Sequence, residues 1–135
     1  MLRWVRFVSA VVLAVSLSFG FYRLGYAIGT PYSIRVFKDH RRLFVETAAH
    51  VEDGTLPERG DNQGYQVPQA LWEMGIRYIR RDEGCVAFVF ATGPICPTDR
   101  ILFSPHGHRG LPRYDLTCLF ASAYIDENWH FIQTE

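Results

Sequence analysis

The feature that most constrains this chain is an uncharged apolar run near its N-terminus. Residues Phe7 to Tyr22, FVSAVVLAVSLSFGFY, are sixteen consecutive positions without a charge or a proline. Sixteen helical residues span only about 24 Å, whereas the hydrocarbon core of a bilayer is about 30 Å thick. The 23 residues from Trp4 to Tyr26 are long enough when Arg6 and Arg23 extend to the membrane interface. The run therefore predicts a membrane anchor or an export signal.

Two interpretations of this segment stay open. Trp4 at one end and Tyr26 at the other are placed as interfacial aromatic residues, which favours an uncleaved anchor spanning residues 4–26. Small residues at Gly25 and Ala27 also suit a signal peptidase, so secretion after cleavage near Ala27 is the alternative. Two arginines and the free amine before the run outweigh Arg23. The positive-inside rule therefore predicts a cytoplasmic N-terminus and an extracytoplasmic domain.

The formal net charge of zero is the sum of two unlike parts. Residues 1–30 hold three arginines and no acidic residue, which leaves 11 basic and 14 acidic side chains, a balance of −3, in residues 31–135. A nucleic-acid-binding domain carries a strong basic excess, so nucleic acid is not an expected partner. The hydrophobic share of 48% is ample for a core. Residues 31–135 are predicted to form one small domain after the 1–30 segment.

Two helices are predicted after the apolar run. Thr30-Pro31 is a helix-start signal, and the helix is expected to end near Gly54. Apolar residues recur along it at spacings of three, four or seven, at Ile34, Phe37, Phe44, Ala48 and Val51. Residues 54–66 are polar and rich in turn formers, which predicts a loop. Val67-Pro68 opens a short second helix that Gly75 closes.

The chain after Gly75 changes to strand patterns. In Ile76–Arg81 the alternation places Ile76 on the face of Tyr78 and Arg80, and Ile79 on the opposite face. Further strands are predicted at Cys85–Ala91, Ile101–Phe103, Leu116–Ile125 and Trp129–Gln133, with tight turns at Asp82-Glu83-Gly84 and Asp126-Glu127-Asn128. The predicted fold is α+β: an N-terminal hydrophobic helix, then two helices packed on a four- to five-stranded antiparallel sheet.

The stretch from Trp72 to Phe131 resembles small uncharacterised bacterial α+β proteins of unknown activity. The matching features are an apolar strand at Val86–Phe90, a strand ending in a Ser-Pro-x-Gly turn at Ile101–Gly107, and an Asp-x-Asn-Trp hairpin at Asp126–Trp129. The resemblance covers less than half of the chain and implies the same α+β hairpin arrangement, without an activity.

A pair of histidines lies in the loop from Ser104 to Gly110. His106 and His108, at positions i and i+2, can present both imidazoles to one zinc ion. A zinc site needs further ligands, for which the candidates are His130, Asp99, Asp115 and Cys118. The competing interpretation, which we favour, is a type I turn with Pro105 second and Gly107 fourth and with solvated histidines. No cofactor is expected in that case.

The three cysteines face an oxidising compartment if the domain is extracytoplasmic. A disulfide between Cys85 and Cys96 and one between Cys85 and Cys118 are both compatible with the predicted strands. Because three is an odd number, at least one thiol stays free, buried or intermolecular. Buried and unreactive cysteine is the ordinary state of a strand position among aromatic residues.

Basic charge is concentrated in the second half of the domain. The candidate binding residues are Arg77, Arg80, Arg81, Arg109 and Arg113. They form either a basic rim for an acidic partner or anionic headgroups, or a solvated strand edge in which charge blocks sheet-to-sheet pairing. Arg59-Gly60-Asp61 matches the tripeptide that integrins recognise, but three residues in a loop match by chance.

These observations predict a membrane-anchored, non-enzymatic envelope domain that binds another protein or the membrane surface. The sequence has no phosphate-binding loop, nucleophile elbow or HExxH motif. A small metal-dependent enzyme or zinc-binding protein that uses His106, His108 and His130 is the alternative.

Overall fold

The computed structural model describes residues 1–28, 31–60, 64–91, 98–112 and 119–134. The side chains described are those of the same residues other than 22–28, His108 and 119–121. The chain divides into two compact units, Met1–Tyr32 and Ser33–Glu135.

The first unit is built on the long helix α1, Leu2–Ile28. The side chains of residues 1–21 are exposed, including the large apolar ones. Over Leu2–Phe21 the helix is long and apolar enough to cross a membrane. A helix that exposes apolar side chains on all sides has no polar face for water, which is the physical signature of a lipid-facing segment or a signal sequence.

The predicted helix over residues 31–54 consists of two helices, α2 (Tyr32–Asp39) and α3 (Arg41–Glu52). The backbone departs from helical geometry at His40, where φ is −124° and ψ is 26°. All five residues from Lys38 to Arg42 are polar, so no buried side chain stabilises a continuous helix across them. The break falls between Phe37 and Phe44, which are both fully buried.

A short helix, α4 (Gln69–Glu73), precedes the sheet. Gly75 follows it with φ +101°, a left-handed conformation that ends helices at little cost only for glycine.

The second unit contains a five-stranded antiparallel sheet in the order β1-β2-β3-β5-β4. The strands are β1 (Ile76–Asp82), β2 (Cys85–Phe90), β3 (Thr98–Phe103), β4 (Leu119–Tyr124) and β5 (Trp129–Thr134). The α+β class and the antiparallel sheet are thus confirmed. The hairpin predicted to close around residues 126–128 is the β4–β5 pair.

Strand β1 departs from simple alternation. Ile76 and Ile79 are both fully buried in the same core, although they are three positions apart. The reason is a register shift between Ile76 and Tyr78, because a bulge moves one side chain to the other face. The prediction that Ile76 and Ile79 lie on opposite faces was therefore wrong.

The β1–β2 turn has two residues, Glu83 (φ +48°) and Gly84 (φ +88°). Positive φ at both positions is the type I′ geometry that matches strand twist in short hairpins.

The main core lies between the sheet and the helices and is rich in aromatic rings. Phe44 of α3 lies 5.2 Å from Phe37 and 5.0 Å from Phe88, measured between ring centroids. Phe37 lies 4.7 Å from Trp129 of β5. A second buried cluster of Ala87, Val89, Leu102 and Ile132 packs against Leu111. Strands β2, β3 and β5 therefore have buried side chains on both faces.

Candidate functional site

The candidate site lies along β1, which is one edge of the sheet. The segment before α4 returns to this edge, because the N–H of Tyr65 donates to the carbonyl of Ile79 at 2.8 Å. Within the segment, the N–H of Gln66 donates a hydrogen bond of the same length to the carbonyl of Pro57, which holds the two ends of the segment together. The described residues 57–60 and 64–66, predicted to be part of a simple loop, thus form a wall beside β1.

Gly64 makes this close approach possible. Its φ is +98°, and a Cβ at this position would lie 2.2 Å from the carbonyl oxygen of Ile79. No side chain fits at that distance, so only glycine allows the segment to approach the edge strand this closely.

Two adjoining clefts open along β1. The first, here called the cationic cleft, has a volume of about 580 Å³. It is lined by Glu58, Arg59, Gly64, Tyr65, Tyr78, Arg80 and Arg81. With three guanidinium groups and one carboxylate, its lining favours an anionic ligand.

The second, here called the apolar cleft, has a volume of about 380 Å³. It is lined by Arg59, Trp72, Arg77, Tyr78, Val89, Phe90, Ala91 and Thr98. The two clefts share Arg59 and Tyr78, whose guanidinium carbon and ring centroid lie 5.7 Å apart. We call the two clefts together the β1 surface.

Two of its arginines are fixed by the ends of helices. Arg77 donates to the carbonyl of Trp72 at 2.7 Å, and its guanidinium lies 4.0 Å from the Trp72 ring centroid. Arg81 donates to the carbonyl of Val51 in the last turn of α3, at 3.2 Å. A cation at a helix C-terminus is favourable because of the helix dipole. These contacts pre-orient the two guanidinium groups.

Arg81 is further held by Tyr65 and Glu52. Its Nε donates to the Tyr65 hydroxyl at 3.3 Å, and its Nη1 lies 3.3 Å from Glu52 Oε1. The hydrogen bond to Tyr65 and the nearby Glu52 carboxylate raise the pKa of Arg81, so its charge is constant at any physiological pH. The Nε of Arg80 lies 3.6 Å from Asp82 Oδ1.

Of the predicted binding residues, Arg77, Arg80 and Arg81 are brought together on the β1 surface. Arg109 lies instead in an exposed 3-10 turn, Gly107–Gly110, and Arg113 lies outside the described residues. Arg59 was not among the predicted binding residues. Its place depends on the pairing of Tyr65 with Ile79, which no local pattern indicates. In the sequence, Arg59 was noted only as part of the tripeptide Arg59-Gly60-Asp61, and Asp61 lies outside the described residues.

The predicted turn after β3 is present, since the N–H of Gly107 donates to the carbonyl of Ser104 at 3.2 Å. His106 is exposed on this turn, whereas His130 is buried on β5, opposite Leu102. Among the described residues, no three His, Cys, Asp or Glu side chains form a group that could hold a metal ion. The side chain of His108 lies outside them, so the zinc site remains a prediction.

Cys85 has a buried free thiol that donates to the carbonyl of Gly110 at 3.0 Å. Burial raises the pKa of this thiol, which disfavours the reactive thiolate. Cys96 and Cys118, the two predicted disulfide partners, lie outside the described residues.

No protein family, curated protein or solved structure matches the chain. The function of the site is therefore inferred from the chemistry of its side chains. The described lining residues of the two clefts include no cysteine, histidine or serine. Their arginine and aromatic side chains are groups that bind and orient a ligand.

Proposed function

We propose that this chain is a membrane-anchored, non-enzymatic domain that binds another protein, or the membrane surface, through the β1 surface. Helix α1 serves as the anchor, with a cytoplasmic N-terminus and an extracytoplasmic domain. The observation that carries the proposal is the convergence of Arg59, Arg80 and Arg81 with Tyr65 and Tyr78 around one open cleft. Arginine and tyrosine are enriched where proteins bind one another.

The organisation of the surface supports binding. Arg77 and Arg81 are oriented by hydrogen bonds within the domain, so less side-chain entropy is lost when a ligand binds. Trp72 and Tyr78 remain 44% and 41% exposed and offer large rigid rings beside these charges. The domain carries a net charge of −3, so this concentration of arginine is a local feature of one edge.

Site-specific photocrosslinking in native membranes tests the interface. A benzophenone amino acid replaces Trp72 in one variant and Val45 of α3 in the other, since both side chains are 44% exposed. We expect crosslinks to a defined protein or to lipid from position 72 and not from position 45, and a reduced yield when Arg59 and Arg80 are changed to glutamine. Equal yields at the two positions would overturn the proposal.

Topology is tested with a cysteine at the exposed position Ala49 of α3. We expect an impermeant maleimide to label Ala49→Cys in intact cells more strongly than the wild type, which measures the background from native thiols. We also expect the chain to resist alkaline extraction and to keep residues 1–26. Labelling only after lysis contradicts the orientation, and a mature chain that begins near Ala27 contradicts the anchor.

A further inference from the structure

The ligand chemistry of the cationic cleft follows from the type of its basic residues. The chain has thirteen arginines and a single lysine, Lys38, and every cation on the β1 surface is an arginine. A guanidinium presents a planar fork of donors that matches two oxygens of a carboxylate or a phosphate, whereas an ammonium acts as a point charge. The cationic cleft is therefore suited to an oxyanion, of which the side chain of Asp or Glu is the form that a protein carries.

The apolar cleft is suited to a different kind of ligand side chain. Its walls include Trp72, Tyr78, Val89 and Phe90, and Arg77 covers the Trp72 ring rather than projecting alone into solvent. Among side chains, apolar and aromatic ones gain the most binding free energy when they leave water for a cleft with such walls. Because the two clefts share Arg59 and Tyr78, one short ligand segment can occupy both.

The spacing of the two groups follows from strand geometry. In an extended segment, residues i and i+2 point to the same side and lie about 7 Å apart. Tyr78 lines both clefts and Arg80 lines only the cationic one, and they too are two positions apart on β1. An acidic and an apolar residue separated by one position therefore match the order of the two clefts along the strand. Strand addition is a different mode, and at Ile79 it is blocked because Tyr65 already occupies the outer carbonyl. Side chains rather than the ligand backbone must supply the recognition there.

The charges around the β1 surface favour a protein segment over a bilayer. Glu52 lies 3.3 Å from Arg81, and Asp82 lies 3.6 Å from Arg80. Glu58 also lines the cationic cleft. Binding to anionic membranes requires clusters of basic residues with few acidic neighbours, because the attraction adds over the whole surface. A single carboxylate that enters the cleft can bind the guanidinium donors that these partners leave accessible, since the side chains of Arg80 and Arg81 are 44% and 41% exposed.

We infer that the β1 surface recognises an extended protein segment in which an acidic and an apolar residue are separated by one position, the acidic side chain entering the cationic cleft and the apolar one the apolar cleft. This inference depends on the proposed binding function and specifies its partner.

Fluorescent octapeptide pools test the inference with the full chain in neutral-lipid nanodiscs. The pools carry fixed Glu-x-Phe or Phe-x-Glu cores with random flanks, and the matched pools have Gln for Glu or Ser for Phe. We expect the Gln and Ser pools to bind about tenfold more weakly than a parent pool, as loss of a charged hydrogen bond or of a buried ring implies. Fluorescence anisotropy measures the binding.

Variants assign each preference to its cleft. Arg80→Gln should reduce the discrimination between Glu and Gln several-fold while keeping the preference for Phe over Ser, because Arg59 and Arg81 still line the cationic cleft. Trp72→Ala should reduce the preference for Phe over Ser while keeping the discrimination between Glu and Gln. Arg42→Gln is the control, because that arginine lies on α3 with its side chain 92% exposed. Discrimination that is unchanged in both cleft variants would overturn the inference.

The two proposals fail separately. Equal binding of the Glu and Gln pools, or no binding by any pool while position 72 still crosslinks to a protein, overturns the inference and leaves the proposed function standing. Arg80-dependent binding to phosphatidylglycerol vesicles without peptide binding replaces the segment by a membrane surface. If neither crosslinking nor peptide binding is observed, the proposed function fails as well.

Discussion

The β1 surface and the turn between β4 and β5 use the same chemistry for different purposes. At the turn, Asp126 accepts hydrogen bonds from the backbone N–H groups of Asn128 and Trp129, at 3.1 and 3.2 Å, and forms an ion pair with Arg41 of α3. Asn128 also donates to the carbonyl of Ser104 at 2.9 Å. At the β1 surface, arginines border open clefts. An arginine thus supports the fold where its carboxylate partner also accepts backbone hydrogen bonds, and contributes to a binding surface where it borders an open cleft.

The largest expected effect links the two regions through the core. Phe44→Ala removes the ring that packs against both Phe37 and Phe88, and it should lower the free energy of unfolding by about 3–5 kcal/mol. Urea unfolding of the full chain in micelles, followed by tryptophan fluorescence, measures this. Because α3 supports both regions, we expect a single transition, and separate transitions for the two regions would contradict the comparison.

A smaller effect should be confined to the β1 surface. Gly64→Ala introduces a Cβ that clashes with Ile79 and strains a residue with φ +98°, and we expect a cost of about 1–3 kcal/mol together with lost crosslinking at position 72. Gly60→Ala is the matched control, because no atom lies within 4 Å of its added Cβ. If Gly64→Ala still crosslinks like the wild type, the segment does not form a wall of the clefts.

The turn is tested by two substitutions of Asp126. Asp126→Ala loses both the backbone hydrogen bonds and the ion pair, so we expect a loss of about 1–2 kcal/mol in unfolding free energy. Asp126→Asn keeps an oxygen for the backbone N–H groups and should cost below about 1 kcal/mol at neutral pH. Equal costs for the two variants would mean that the backbone hydrogen bonds contribute nothing measurable.

The same carboxylate gives a pH dependence. Partial burial raises the pKa of Asp126, but hydrogen bonds from Asn128 and the ion pair with Arg41 outweigh it and hold the pKa below the ordinary value of 3.8. Its stabilising effect is therefore present above that value and is lost as the pH falls through the lowered pKa. We expect the stability difference between wild type and Asp126→Asn to shrink in acid, and a constant difference from pH 7 to pH 2 would contradict this assignment.

The smallest effect is expected at Arg42. Its Nε lies 2.7 Å from Glu46 Oε1, one helical turn further along α3, on a highly exposed side chain. Exposed pairs of this kind contribute about 0.3–0.5 kcal/mol, so Arg42→Ala should change neither region by more than that. A loss as large as that of Asp126→Ala would show that proximity alone, rather than the backbone hydrogen bonds that the partner carboxylate accepts, determines what an arginine contributes.

The sequence predicted the sheet well, because its signals are local. The apolar run Cys85–Phe90 and the turn at Asp126 indicate a strand and a hairpin through a continuous apolar stretch and turn chemistry alone. The break at His40 was missed, since the apolar spacing of seven across it fits a continuous helix. The bulge at Ile76 was missed because it depends on how β1 pairs with β2.

The candidate site was predicted only in part. Clustering of arginine in the sequence indicated Arg77, Arg80 and Arg81, because all three lie on one strand. Arg59 and the clefts depend on the contact between Tyr65 and Ile79, two residues whose pairing no period or turn motif records. Backbone pairing between distant segments is a property of the assembled fold, so this part of the surface could not be predicted from local sequence patterns.

The contact of Tyr65 with Ile79 also has a consequence for solubility. The outer edge of a terminal strand presents backbone groups to which another chain can add, and such addition begins aggregation. Here the segment before α4 occupies that edge at its middle, where the apolar Ile79 lies between Arg77 and Arg81. Gly64, which permits the contact, therefore protects the protein at high concentration as well as shaping a cleft.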